Sequence, residues 1–250
     1  MSQSYRLKNC VVAFLDLLGA KKKIQEGESE RIISALHSVY DQTISTIQSQ
    51  DEEFLVRHPF KFKTFSDNIA IVIQFNNRDN SNPDDDKDSD NDDKPDKNFD
   101  YNPDLSVRLE KIAHNISIFQ LKLWCYHGLF FRGGLSVGKC YIDDQIVLGE
   151  GLTEAYEIES TLSNYPRVVV SQNLIKSITR YPCVSKEFAQ DFDGLYYVDY
   201  FRNWINSFPS AEERQPHIDE VQKNLKEAQD DKIREKYQWM MEKINSIASK

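Results

Sequence analysis

The spacing of apolar residues changes period several times along the chain, and each change predicts an element. Asn9 to Leu17 is almost continuously apolar, which predicts a strand covered on at least one face. One acid, Asp16, interrupts it near its end, and Gly19 lets the chain turn. From Ser29 the residues Ile32, Ile33, Leu36, Val39, Tyr40, Ile44 and Ile47 recur at helical spacing, predicting a helix to about Gln48. Phe60 to Phe65 and Ile69 to Phe75 are rich in aromatic and β-branched residues and alternate with a period of two. They predict an antiparallel hairpin closed by a tight turn at Ser66, Asp67 and Asn68. Pro103 then opens a helix through Leu105, Leu109, Ile112, Ile116, Phe119 and Leu123, ending near Tyr126.

Gly128 punctuates the entry into LFFRGGLSVGKCYI, a strand interrupted by Gly133 and Gly134, with a further β segment around Gln145 to Leu148. Adjacent glycines weaken a strand, so here they predict the close approach of a ligand or of another backbone. A helix from Gly149 to Ser160, a strand from Arg167 to Val170, a helix from Gln172 to Arg180 with Ser171 as its N-cap, and an aromatic strand from Asp193 to Phe201 follow. Ser210 to Ala248 reads as a polar helix or helical hairpin, with a broken stripe of Leu225, Ile233, Tyr237, Met240, Met241, Ile244 and Ile247 for docking on the domain or on a partner. The order strand, helix, strand, strand, helix, strand predicts an α/β (α+β) fold: a ferredoxin-like core with an antiparallel sheet, plus a C-terminal helical extension. The expected organisation is one domain over 1–202, carrying an acidic insertion at about 77–102, and the extension over 203–250.

Composition changes this picture in three places. The 250 residues are 40% apolar, enough for a substantial core. The net charge of −9 owes much to the insertion, where ten aspartates lie between Asp79 and Asp100. Such a segment cannot bury enough surface to offset its ordering entropy and is expected to be disordered; it lacks the central Gly and closing Glu of an EF-hand calcium loop. The acidic balance argues against nucleic-acid binding. Cys10, Cys125, Cys140 and Cys183 have no metal-ligand spacing and read as reduced thiols. With no leader-like segment and no apolar run near the roughly 20 residues that span a bilayer, the expectation is a cytoplasmic protein without a membrane partner.

The candidate chemistry begins with Asp16 at a strand end and Asp67 at a hairpin tip, two carboxylates that suggest a divalent-metal site. The five histidines form no spaced cluster, and no GxSxG or cysteine-nucleophile context appears, which excludes those hydrolase types.

Four stretches, FLDLLG, KTFSD, RGGLSVG and GEGLTEAYEIE, resemble the successive landmarks of class III nucleotidyl cyclase domains, in that family's order and over roughly Val11 to Val170. The resemblance is strongest to the compact bacterial cyclases of Pycsar anti-phage defence, through Arg132 to Gly134 and Ala155 to Tyr156. It implies a cyclase/palm core in which Asp16, Asp67 and the main-chain carbonyl of Leu17 hold two Mg²⁺ or Mn²⁺ ions. It also implies a homodimer with active sites shared between chains, and conversion of a pyrimidine nucleoside triphosphate to its 3′,5′-cyclic monophosphate, read by a separate cyclic-nucleotide-sensing effector. Lys63 matches a base-selecting lysine of purine cyclases, whereas Ile146 falls at the partnering acidic position and cannot accept a hydrogen bond. An Asn and an Arg that stabilise the family's transition state align with Thr153 and Glu157. Arg132 is then the expected replacement cation, with Lys139 or Lys63 as substitutes, and Tyr156 the expected base contact.

Each assignment has a structural alternative: Asp67 as an Asx-turn residue, Arg132 as the ion-pair partner of an acid such as Glu159, Lys63 as the solvent side of a strand, Tyr156 as core. Two other functions stay open. One is an adenylate or guanylate cyclase; the other is an inactive cyclase-like sensor or scaffold.

Overall fold

The computed structural model describes residues 6–50, 60–75, 102–143 and 145–248. In chain order the elements are β1 (Lys8–Leu17), α1 (Ala20–Gln25), α2 (Ser29–Gln50), β2 (Phe60–Phe65), β3 (Asn68–Gln74), α3 (Pro103–His127), β4 (Phe131–Ile142), β5 (Val147–Gly149) and α4 (Glu150–Thr161). They continue as β6 (Val168–Val170), α5 (Gln172–Arg180), α6 (Pro182–Ser185), β7 (Phe188–Gln190), β8 (Tyr196–Val198), α7 (Tyr200–Ser207), α8 (Ala211–Glu227) and α9 (Asp231–Ala248). The insertion expected to be disordered falls on 76–101, outside the described residues, apart from Asn102, which caps α3 by accepting from the Asp104 and Leu105 amides.

One sheet runs β2-β3-β1-β4-β6-β8-β7, with β5 pairing β4 off that path. The β2-β3-β1-β4 portion is antiparallel throughout and is the ferredoxin-like core expected from the element order; β6 alone joins parallel, to β4. Side chains alternate across a strand, so β1 has two characters. Val11, Ala13, Leu15 and Leu17 pack into a core shared with α2, α3 and α5. Cys10, Val12 and Phe14 face the opposite side, where Ala155 of α4 covers them, and Asp16 is next in that even-numbered row.

A second core fills the end of the sheet. Trp124, Trp204 and Trp239 meet there with Tyr200 and Phe201, joining α3, α7 and α9. The C-terminal helices dock through Val221, Trp239, Met240 and Ile244, with Tyr237, Met241 and Ile247 of the expected stripe packed against that cluster; Ile233 is 39% exposed and lies outside it, and Trp239, which the stripe omitted, is the anchor. Beside it Arg167, with no solvent exposure, pairs with Asp191 and Asp193; Asp191 also accepts from Trp239 Nε1 at 2.7 Å and pairs with Lys243. A buried guanidinium requires such charge pairing, and of its nitrogens only Nε finds no hydrogen-bond partner among the described residues.

The aromatic strand expected over Asp193 to Phe201 is only β8. Asp199 accepts hydrogen bonds from the Phe201 and Arg202 amides at 3.2 and 3.3 Å, and this cap starts α7 where aromatic content alone favours strand. Ser171 stands at the N-cap of α5, but its hydroxyl makes no capping bond. The glycines of β4 are approached by backbone, one of the two expected neighbours. A Cβ on Gly134 would strike the Ala155 carbonyl oxygen, and one on Gly138 would lie 2.6 Å from the Gly151 nitrogen. Those glycines let α4 lie directly on β4.

Candidate active site

The end of β1 is where the predicted carboxylates meet. Asp16 is register partner to Asn68 of β3 and to Arg132 of β4. The β2–β3 connection is the expected tight turn: Ser66 takes a left-handed φ of 58°, and Asp67 follows it. The Leu17 amide donates to the Asp67 carbonyl oxygen at 3.0 Å, which fixes the hairpin tip against the strand that carries Asp16. Asp16, Leu17 and Asp67 are therefore neighbours, and the two carboxylates sense one another's charge. The Asp67 carboxylate accepts from Asn68 Nδ2 at 3.3 Å.

Arg132 completes this group. Its Nε donates to Asp16 Oδ2 at 3.1 Å, and its Nη2 lies 2.7 Å from Glu159 Oε1. The second contact is electrostatic only, since that buried oxygen has no hydrogen-bond donor among the described residues. The ion-pair alternative for Arg132 is thus realised, with two acids. Burial pushes the Asp16 carboxyl above the usual range; the Arg132 hydrogen bond and charge oppose this, and Asp67 adds to it. Glu159 is raised likewise, by burial first, with Arg132 opposing and Asp16 and Asp67 reinforcing. One guanidinium does not offset three carboxylates, so the group retains an appetite for positive charge.

That excess fits a divalent cation. Partly buried carboxylate oxygens are the ligands hard cations select. Among the described residues no three His, Cys, Asp or Glu side chains form a ready chelating cluster. An ion held by Asp16 and Asp67 would need further oxygens from substrate and water.

The remaining candidates are more dispersed. Tyr156 is 53% exposed, not core, and its ring meets Phe14 edge-on at 5.5 Å, two residues before Asp16 on the same face. Thr153 lies one turn earlier, with its hydroxyl donating to the Gly149 carbonyl at 3.2 Å, and Glu157 is exposed. Lys63 pairs with Ala70, which pairs with Phe14, so it stands two strands from β1, about 10 Å away. The structure does not bring Lys63 to Asp16; its charge acts on Asp143 in the β4–β5 turn, where Ile146 is exposed.

Sequence reasoning named Glu159 as an acid for Arg132 and missed one member of the group, Lys236. Glu159 sits four residues after buried Ala155 on α4, a spacing that marked it as inward-facing. Lys236 of α9 is half-buried, with Arg132 and Asp16 as its strongest charged neighbours. No local signal links it to them.

Among the described residues no helix is long and apolar enough to cross a membrane. No protein-family model matches the chain, and no curated protein does. Solved structures similar to it include the catalytic core of a rhodopsin-guanylyl cyclase with converted specificity in complex with ATPαS, 12% identical over 77% of this chain and 95% of that one, with a TM-score of 0.48. The guanylyl cyclase Cya2 is 11% identical over 78% and 93%, with a TM-score of 0.40.

Proposed function

We propose that this protein is a nucleotidyl cyclase that converts UTP or CTP to the 3′,5′-cyclic monophosphate and diphosphate, a second messenger in anti-phage defence. The observation that carries the proposal is the meeting of Asp16 and Asp67, acids 51 positions apart in the chain, beside Arg132. In the reaction the ribose 3′-oxygen attacks the α-phosphorus in line and diphosphate leaves. Asp16, Asp67 and the Leu17 carbonyl would hold Mg²⁺ or Mn²⁺. Two such ions, when bound, lower the pKa of the attacking hydroxyl and neutralise the leaving group.

The chain's own residues do the rest. Arg132, anchored on Glu159, presents a fixed planar cation to the phosphates. Tyr156 stands with its ring free on one face to take a base. The exposed, apolar Ile146 offers a purine amino group no side-chain acceptor, which weighs against adenylate or guanylate cyclisation. The distance of Lys63 from Asp16 within one chain supports a homodimer in which each site takes its metal residues from one chain and its base-reading residues from the other. A cytoplasmic dimer signalling to a separate effector, without nucleic acid, completes the reading.

A second reading, an inactive cyclase-like sensor, is favoured by one observation: the Thr153 hydroxyl is bonded within its own helix, and Glu157 offers phosphate no positive charge. Incubation with each of the four ribonucleoside triphosphates and Mn²⁺, with products separated by chromatography, distinguishes the possibilities. Cyclic UMP or cyclic CMP is expected. Cyclic AMP or cyclic GMP alone would establish the purine alternative, and binding without product would establish the sensor.

A further inference from the structure

Helix α9 is bound along one face. Trp239 stacks on Tyr165 with ring centroids 5.8 Å apart, Met240 Sδ accepts from the buried Tyr200 hydroxyl at 3.0 Å, and Tyr237 meets Phe130 edge-on at 5.9 Å. Lys236 precedes Tyr237 and lies three and four residues before Trp239 and Met240, so its stem leaves the helix on the docked side. The point of docking is the end of β1. The Phe130 carbonyl accepts from the Leu18 amide at 2.8 Å, and Leu18 packs in the same cluster as Tyr237. Phe130 is two residues before Arg132, and Leu18 two after Asp16. The helix therefore crosses the mouth of the carboxylate group and carries a lysine there.

The charges around Lys236 are unusual for a docking lysine. Burial lowers its pKa, and Arg132, the strongest charge beside it, lowers it further; Asp16 and Asp230 oppose, and Lys232 adds to the lowering. Its acidic neighbours, Asp16 and Asp230, act on it through charge and not through a hydrogen bond. By contrast Lys243, two turns along the same helix, is paired with Asp191. Lys236 and Arg132 feel one another's charge beside Asp16, and repulsion between two such cations is relieved further when the anionic oxygens of a polyanion lie between them.

We propose that Lys236 contacts the phosphates of the bound nucleoside triphosphate together with Arg132, so that the C-terminal helix supplies the cation missing at Thr153 and Glu157. The inference rests on the triphosphate-binding part of the function proposed above. It gives α9 a role in the site beyond covering Trp124 and Tyr200.

The test is calorimetric binding of tripolyphosphate, and of a 3′-deoxynucleoside triphosphate that cannot cyclise, to the full chain with Mn²⁺. Lys236→Met keeps most of the apolar stem and removes the charge; Lys236→Arg keeps the charge. Both probes should bind about 10- to 100-fold more weakly to Lys236→Met and within about threefold of wild type to Lys236→Arg, with ligand-free melting temperatures within about 2 °C of one another. Wild-type affinity in Lys236→Met overturns the proposal. So does equal weakening in both variants with a lowered melting temperature, which would mean that the side chain only seats the helix. If the wild type binds both probes yet forms no cyclic product, the cyclase reading fails while the affinity comparison still decides Lys236. If it binds neither probe, the Lys236 assignment falls.

Discussion

Asp16 and Arg132 are register partners across β1 and β4, and the Arg132 Nε–Asp16 Oδ2 bond of 3.1 Å joins the two residues to which catalysis assigns opposite tasks. An acid proposed to hold a cation is held by a guanidinium instead. Arg132 and an ion would compete for the negative charge of Asp16, and this competition makes the pair testable.

Arg132→Met removes the competitor and leaves Asp16 and Glu159 with unmet negative charge. Mn²⁺ should then bind several-fold more tightly, while turnover falls at least about 100-fold because a cation facing the phosphates is lost. Metal affinity read by paramagnetic relaxation, measured alongside the rate, checks both signs. Weaker Mn²⁺ binding would show that Arg132 supports the metal site instead of competing with it.

Asp16→Asn and Asp67→Asn each preserve side-chain shape and remove one anionic ligand. Each should abolish turnover and the rise in melting temperature that Mn²⁺ produces in the wild type. The metal-free melting temperature should stay within about 3 °C of wild type. Near-normal turnover in either variant would contradict the two-carboxylate assignment.

Gly134→Ala places a methyl group against the Ala155 carbonyl, backbone that cannot turn aside, and should destabilise the protein by about 1–3 kcal/mol while displacing Tyr156 and Glu159 with α4. Gly19→Ala is the control: its φ of 76° is strained for a side chain, but nothing lies within 4 Å, and a cost of about 1 kcal/mol is expected without loss of substrate affinity. Denaturant titration of both variants separates crowding from backbone strain.

Asp191 governs acid stability. Burial alone would raise its pKa, but hydrogen bonds from Lys243, Trp239 and the Phe192 amide, with the charge of Arg167, hold it below the usual carboxylate range. A depressed folded pKa contributes stability that is present above the unfolded value and lost as pH falls through the folded one. The wild type should thus lose stability below about pH 4. Asp191→Asn should flatten that acid limb and cost about 3–5 kcal/mol at pH 7, because it leaves Arg167 and Lys243 short of charge in a buried site.

Mixing Asp16→Ala with Lys63→Ala tests sharing of the site between chains. If metal and base residues come from different chains, one site of the heterodimer is intact and the other carries both defects, so activity should reappear from two impaired proteins. Heterodimer formation is verified with differently tagged chains. Turnover equal to the sum of the separate backgrounds would mean that the site lies within one chain.

The elements were legible where side-chain period and turn chemistry agreed. The alternation of Ile69, Ile71 and Ile73 set the face of β3, the Ser66–Asp67 turn closed its hairpin with β2, and Pro103 marked the start of α3, whereas Asn102, assigned to the insertion, is its cap. Local polarity misled at Asp193 to Phe201, where a single carboxylate at Asp199 outweighed the strand preference of its neighbours by satisfying two amides.

Long-range partners were another matter. The sequence by itself determined that Asp16 and Asp67 end a strand and a hairpin, because local backbone geometry follows from neighbours in the chain. That Arg132 divides itself between Asp16 and Glu159, that Gly134 is occupied by the Ala155 carbonyl, and that Lys236 arrives beside them was decided only in three dimensions. Those contacts depend on the crossing of α4 and α9 over the sheet, and crossings are set by the packing of Trp239, Tyr200 and Ile158, whose apolar side chains name no specific partner until the whole core has closed.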